Sequence, residues 1–74
     1  MMVSELEFKR YVAVQYSGLY NMIMDAGSAM KMMETDKDTY FKIISNYDEL
    51  VKKYPKAFEE GQELGRTLCR NIYK

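Results

Sequence analysis

A stripe of mostly apolar residues runs through the first half of the chain. Phe8, Val12, Gln15, Leu19, Met22, Ala26, Met30 and Met33 advance by steps of 4, 3, 4, 3, 4, 4 and 3, with Gln15 its polar member. That spacing follows one side of a helix of 3.6 residues per turn. Ser4 and Glu7 stand at the capping-box distance, which places the helix start at Ser4. Phe8, Tyr11, Val12 and Gln15 then face the core, while Glu5 and Lys9 pair on a solvated face. Ser17-Gly18 works against continuity, since glycine costs roughly 1 kcal/mol inside a helix and serine competes for the backbone. Because the stripe keeps its register across this pair, the pattern predicts one long helix, kinked at Gly18, in preference to two short ones.

The run ETDKD, residues 34–38, is a boundary, and Thr35 and Asp38 repeat the capping-box spacing. The next helix carries Tyr40, Ile43, Ile44, Tyr47, Leu50, Val51 and Tyr54, with tyrosines at every seventh position. Asn46 and Asp48 mark a place where it can break. Tyr54-Pro55 is a stop, because proline disfavours the helical region for its predecessor and suits the first turn of a new helix. In that last helix Phe58, Gly61, Leu64 or Gly65, Leu68 and Ile72 form the inner face. Gly61 and Gly65 lie on one side and admit a neighbouring backbone closely. The fold class is therefore all-α, a small bundle of three helices, or four if the Gly18 or Asn46 region breaks, in a single helical domain over residues 1–74.

A core of this size seldom supplies more than about 3–5 kcal/mol unaided. Cys69 is the sole cysteine and histidine is absent, so neither an intrachain disulfide nor a histidine-bearing zinc site can form. That leaves regular helix packing or a second copy of the chain as the source of stability, and a homodimer is expected. Met32 and the Gly61/Gly65 face are the candidates for self-association.

Charge and chemistry narrow the function further. Eleven basic and eleven acidic residues cancel, so no global field draws the chain to nucleic acid or to an anionic membrane. Asn21, Asp25 and Lys31 interrupt the richest apolar stretch, and no run reaches the roughly 18–20 residues of a spanning helix. The N-terminus, MMVSELEFKR, lacks the pattern of a signal peptide, so a cytoplasmic protein is expected. Without histidine no Ser-His or Cys-His nucleophile can be built, and the acids read as helix-end and surface charges; no enzyme activity, cofactor or metal is expected.

Five of the seven methionines and three of the seven tyrosines fall between Tyr11 and Met33. Methionine makes adaptable surfaces and tyrosine is enriched at interfaces. Tyr16, Tyr20, Asn21 and Met24 cluster off the stripe, and packing makes no demand on Ser17, Gly18 or Asp25. Tyr16, Ser17, Tyr20, Asn21, Met24 and Asp25 are thus the candidate partner-binding residues. Arg66, Arg70 and Lys74 line one side of the last helix; they suit its C-terminus and are the only candidates for phosphate contact.

At YVAVQYSGLYNMIMD the sequence resembles a group of short phage and prophage proteins of unassigned function that share a Tyr-Val-x-Val-Gln-x-Ser-Gly-x-x-Asn-Met stretch followed by an acid. The matching positions are Tyr11, Val12, Val14, Gln15, Ser17, Gly18, Asn21, Met22 and Asp25. A second match, at IISNYDELVKKYP, comprises Asn46, Tyr47, Leu50 and Tyr54. GSAMKMMETDKD and the tail from Pro55 depart from the group's pattern. The resemblance implies phage origin and leaves the activity open. Together these readings lead us to expect a phage-encoded, non-enzymatic interaction protein, homodimeric, that binds a host protein and inhibits or redirects it, anti-defence action being one form. The alternatives are a small nucleic-acid-associated regulator using Arg66, Arg70 and Lys74, and an accessory subunit of a larger phage assembly.

Overall fold

The computed structural model describes residues 3–18 and 24–72, the side chains of Asn71 and Ile72 excepted. Among these residues every regular element is a helix: α1 Glu5–Ser17, α2 Ala26–Met33, α3 Lys37–Ser45, α4 Tyr47–Lys53 and α5 Pro55–Ile72. The fold is all-α, and its five helices exceed the three or four expected.

α1 begins where the sequence indicated. Ser4 Oγ accepts from the Glu7 backbone N–H at 3.1 Å, and Glu7 Oε1 accepts from the Ser4 N–H at 2.9 Å. Its end corrects the expected long helix. Gly18 adopts φ 71°, a left-handed conformation that closes a helix at no steric cost to glycine. The stripe keeps its register into α2 because both segments pack on one core: Met33 is buried, and Ala26 and Met30 are partly so. Leu19 and Met22 lie outside the described residues.

α2 closes through two backbone bonds, Glu34 N–H to Lys31 O at 3.2 Å and Thr35 N–H to Met30 O at 3.1 Å. This is the Schellman pattern, with Glu34 at φ 56° in the place that glycine usually takes. α3 is capped one residue later than the Thr35/Asp38 spacing suggested. Asp36 Oδ1 accepts from Thr39 N–H at 2.9 Å, and the bonds from Thr39 hold the Asp36 carboxyl below its ordinary pKa. A short carboxylate ranks above threonine as a cap.

Asn46 interrupts the third segment. Its Nδ2 donates to Lys42 O at 2.9 Å, a carbonyl that also receives the Asn46 backbone N–H at 3.1 Å. The side chain thus competes with the helix for its own acceptor, and α4 starts at the next residue. Tyr54, at φ −125° and ψ 63°, leaves the helical region ahead of Pro55, which opens α5.

α1 is the central element. Four consecutive residues, Tyr11, Val12, Ala13 and Val14, are all buried, which requires neighbours on more than one side. α5 lies along one side in the same direction, and α2 and α3 cover others. Aromatic rings fill the space between α1, α3, α4 and α5. Tyr11 meets Tyr40 at 5.6 Å between centroids and Tyr47 at 6.0 Å, and Phe8 meets Tyr47 at 5.7 Å and Phe58 at 6.4 Å. The tyrosines at sevenfold spacing are structural, with their hydroxyls partnered. Tyr47 donates to Gln15 Oε1 at 2.9 Å and Tyr54 donates to Val3 O at 3.1 Å.

Gly61 and Gly65 correct a further expectation. They face α1 of their own chain: a Cβ at Gly61 would lie 2.7 Å from Val12 Cβ and 2.9 Å from Lys9 O, and one at Gly65 would lie 2.6 Å from Ala13 O. The close approach that the pair permits is used within the fold, so neither residue is open to a second chain.

Candidate functional site

The interior makes no chemical demand. Among the described residues every buried side-chain nitrogen and oxygen has a hydrogen-bond partner, and no group of three His, Cys, Asp or Glu residues is placed to hold a metal ion.

Among the described residues, the expected partner-binding set is divided between core and surface. Ser17 is fully buried, with its Oγ donating to Val14 O at 2.6 Å, so it belongs to the core. A hydroxyl that bonds its own helix's carbonyl can be packed without a solvent contact, so nothing in the residue pattern marks it as buried. Tyr16 is partly exposed but is tied to α5: its hydroxyl accepts from Gln62 Nε2 at 2.9 Å, and its ring meets Phe58 edge-on at 6.2 Å. Met24, 84% exposed, and Asp25 stand in the turn ahead of α2. Tyr20 and Asn21 lie outside the described residues.

On α5, Arg66 and Arg70 are exposed one turn apart, and Lys74 lies outside the described residues. Arg66 shares its surface with Lys9 and with Glu59, Glu60 and Glu63. Three carboxylates against two cations leave that surface with no attraction for a phosphate backbone.

A better-formed feature lies where α1, α2 and α5 meet. A groove of about 190 Å³ is lined by Arg10, Ala13 and Val14 of α1, by Met32, Met33 and Glu34 at the end of α2, and by Leu64 and Leu68 of α5. Ala13, Val14 and Met33 form a buried floor, while Met32, 38% exposed, and Leu64, 42% exposed, stand at its rim. Arg10 Nη1 donates to Met33 O at 3.4 Å, a long bond that links α1 to the last turn of α2. Arg10 and Glu34, both exposed, give the groove one charge of each sign.

Each member has a local cause. Gly65 takes the contact with α1, which turns its neighbour Leu64 outward from the inner face that the two shared as alternatives in the sequence. Met32 precedes the buried Met33 and so points away from the core. Glu34 is positioned by the left-handed closure of α2. Of the residues expected to serve self-association, Met32 alone lies in the groove. Arg10, Glu34 and Leu64 carried no signal of their own as a site, because what unites them is the juxtaposition of three separate helices.

The described residues contain no helix long and apolar enough to cross a membrane. No protein-family model matches the chain, and no curated protein or solved structure matches it either.

Proposed function

We infer that this chain is a non-enzymatic interaction protein that docks another polypeptide in the groove between α2 and α5. The observation that carries the reading is an apolar groove with large exposed side chains, Met32 and Leu64, on its rim. At about 190 Å³ it is smaller than the roughly 300–1,000 Å³ of pockets that enclose small ligands, and it suits one or two apolar side chains of a protein partner. Exposed apolar groups beside a buried floor are the usual anchors of such contacts.

The resemblance to short phage proteins supports a host protein as the eventual target, inhibited or redirected in the host cytoplasm, with anti-defence action as one form. An accessory role in a larger phage assembly would draw on the same kind of contact. The test is a photo-crosslinking amino acid placed at Leu64 and, as a control, at the exposed Lys52 of α4, in cells producing the protein. Adducts with a polypeptide are expected at Leu64 and not at Lys52. Equal or absent crosslinking at the two positions would overturn the reading.

A further inference from the structure

We propose that the polypeptide seated in the groove is a second copy of this chain, so that the protein is a two-fold dimer built on Arg10, Met32, Glu34 and Leu64. The proposal rests on the docking role assigned to the groove and names its occupant.

Charge is the first reason. A two-fold interface places the same patch on both sides, so residue i meets residue j and j meets i. A patch of one sign would repel its own copy, whereas this groove carries Arg10 and Glu34 together. Opposed about a two-fold axis, Arg10 of each chain faces Glu34 of the other, giving two ion pairs from one pair of residues. The chain's formal net charge of +0 adds no long-range repulsion against self-association.

Shape and size give the second reason. The rim supplies Met32 and Leu64 and the floor supplies Ala13, Val14 and Met33, so one surface offers both the apolar side chains and the recess that receives them. The third reason is the size of the chain. With 74 residues and one cysteine, it lacks the disulfides by which domains this small commonly add stability. Covering Met32 and Leu64 removes apolar area from water in both copies at once.

Sedimentation velocity of the purified protein, from micromolar to millimolar concentration, tests the proposal with four variants. The wild type is expected to approach twice the 8.8 kDa chain mass as concentration rises. Arg10→Glu and Glu34→Arg each set like charges together at both symmetry-related contacts and should each weaken dimerisation by about tenfold or more. The double exchange Arg10→Glu/Glu34→Arg restores opposite charges and should recover most of the loss. Glu34→Arg leaves the Arg10 bond to Met33 O in place, which separates the interface effect from any loosening of α2. Leu64→Asp, at a side chain already partly exposed, should yield monomer with unchanged helix content by circular dichroism.

A dimer insensitive to the charge exchanges and to Leu64→Asp would place the interface elsewhere and overturn the proposal. A monomer at every concentration would overturn it as well. In that second case a heterologous adduct at Leu64 would leave the docking role standing with a different occupant, and no adduct would remove both.

Discussion

The packing of α5 on α1 makes a sharp prediction about two glycines that receive the same substitution. An alanine Cβ at Gly65 would meet Ala13 O at 2.6 Å and Tyr16 C at 3.0 Å, both backbone atoms, whereas ordinary contact lies at 3.4–4 Å. Neither atom belongs to a side chain that can swing away, so α5 must retreat by most of an ångström. Overpacking of this kind costs about 1–3 kcal/mol. A gap of about 0.5–1 Å elsewhere along the interface forfeits a further share of its dispersion contacts. Against this, alanine gains about 1 kcal/mol in helix propensity. The balance is a net loss of about 1–2 kcal/mol, or a fall in Tm of about 4–8 °C for each kcal/mol in a domain of this size. At Gly27, in α2, a Cβ would meet nothing within 4 Å. There Gly27→Ala keeps only the propensity gain and should stabilise by about 0.5–1 kcal/mol. Urea denaturation followed by circular dichroism reads both, with changed midpoints at constant slope. A Gly65→Ala protein as stable as the wild type would refute the account of α5 packing, and so would a Gly27→Ala protein destabilised to the same degree.

Three further outcomes follow from single features. Glu34→Gly should raise the Tm, because relief of a left-handed non-glycine residue, about 1–2 kcal/mol, exceeds the roughly 0.4–1 kcal/mol that glycine adds to unfolded-state entropy; a lower Tm in dilute solution would contradict this account of the α2 closure. Ser4→Ala removes the cap of α1 and should cost about 1 kcal/mol by the same urea assay, and an unchanged midpoint would show that the capping box contributes nothing. Burial, and then the neighbouring Tyr40 and Tyr47, push the Tyr11 hydroxyl from its ordinary 10.0 up to about 12, and burial raises Tyr40 and Tyr47 as well. The folded chain thus keeps protons that the unfolded chain releases, so this contribution to stability is intact below pH 10 and is lost as pH rises towards 12. Phenolate absorbance recorded beside circular dichroism checks it; complete tyrosine ionisation near the ordinary value, with helix content unchanged, would be incompatible with a buried aromatic cluster.

Much of the helical plan was legible along the chain because it depends on near neighbours. The Ser4/Glu7 cap, the stop at Tyr54-Pro55 and the inward positions of Tyr40, Ile43 and Leu50 all arise from interactions within about one turn, or from a periodicity that any helix must obey. Gly18 was misread because a register match cannot distinguish one helix from two that face the same core. The choice lay in a backbone angle, φ 71°, that glycine permits but does not announce. Asn46 left the break at α3 open for a similar reason, since its side chain competes for a carbonyl only once the helix has formed.

The candidate site was far less legible. Met32 could be singled out as apolar and off the stripe, but its partners in the groove come from α1 and α5, and nothing local marks Arg10 or Leu64 as neighbours of Glu34. Gly61 and Gly65 state that a helix will come close without saying whose. Sequence alone determined that the chain forms amphipathic helices, that it has no histidine for imidazole chemistry and that its charges balance. Tertiary structure decided that the glycine face is spent on α1 and that Ser17 belongs to the core. It also decided that Met32 and Leu64 converge where α1, α2 and α5 meet, because burial and juxtaposition depend on how whole helices pack.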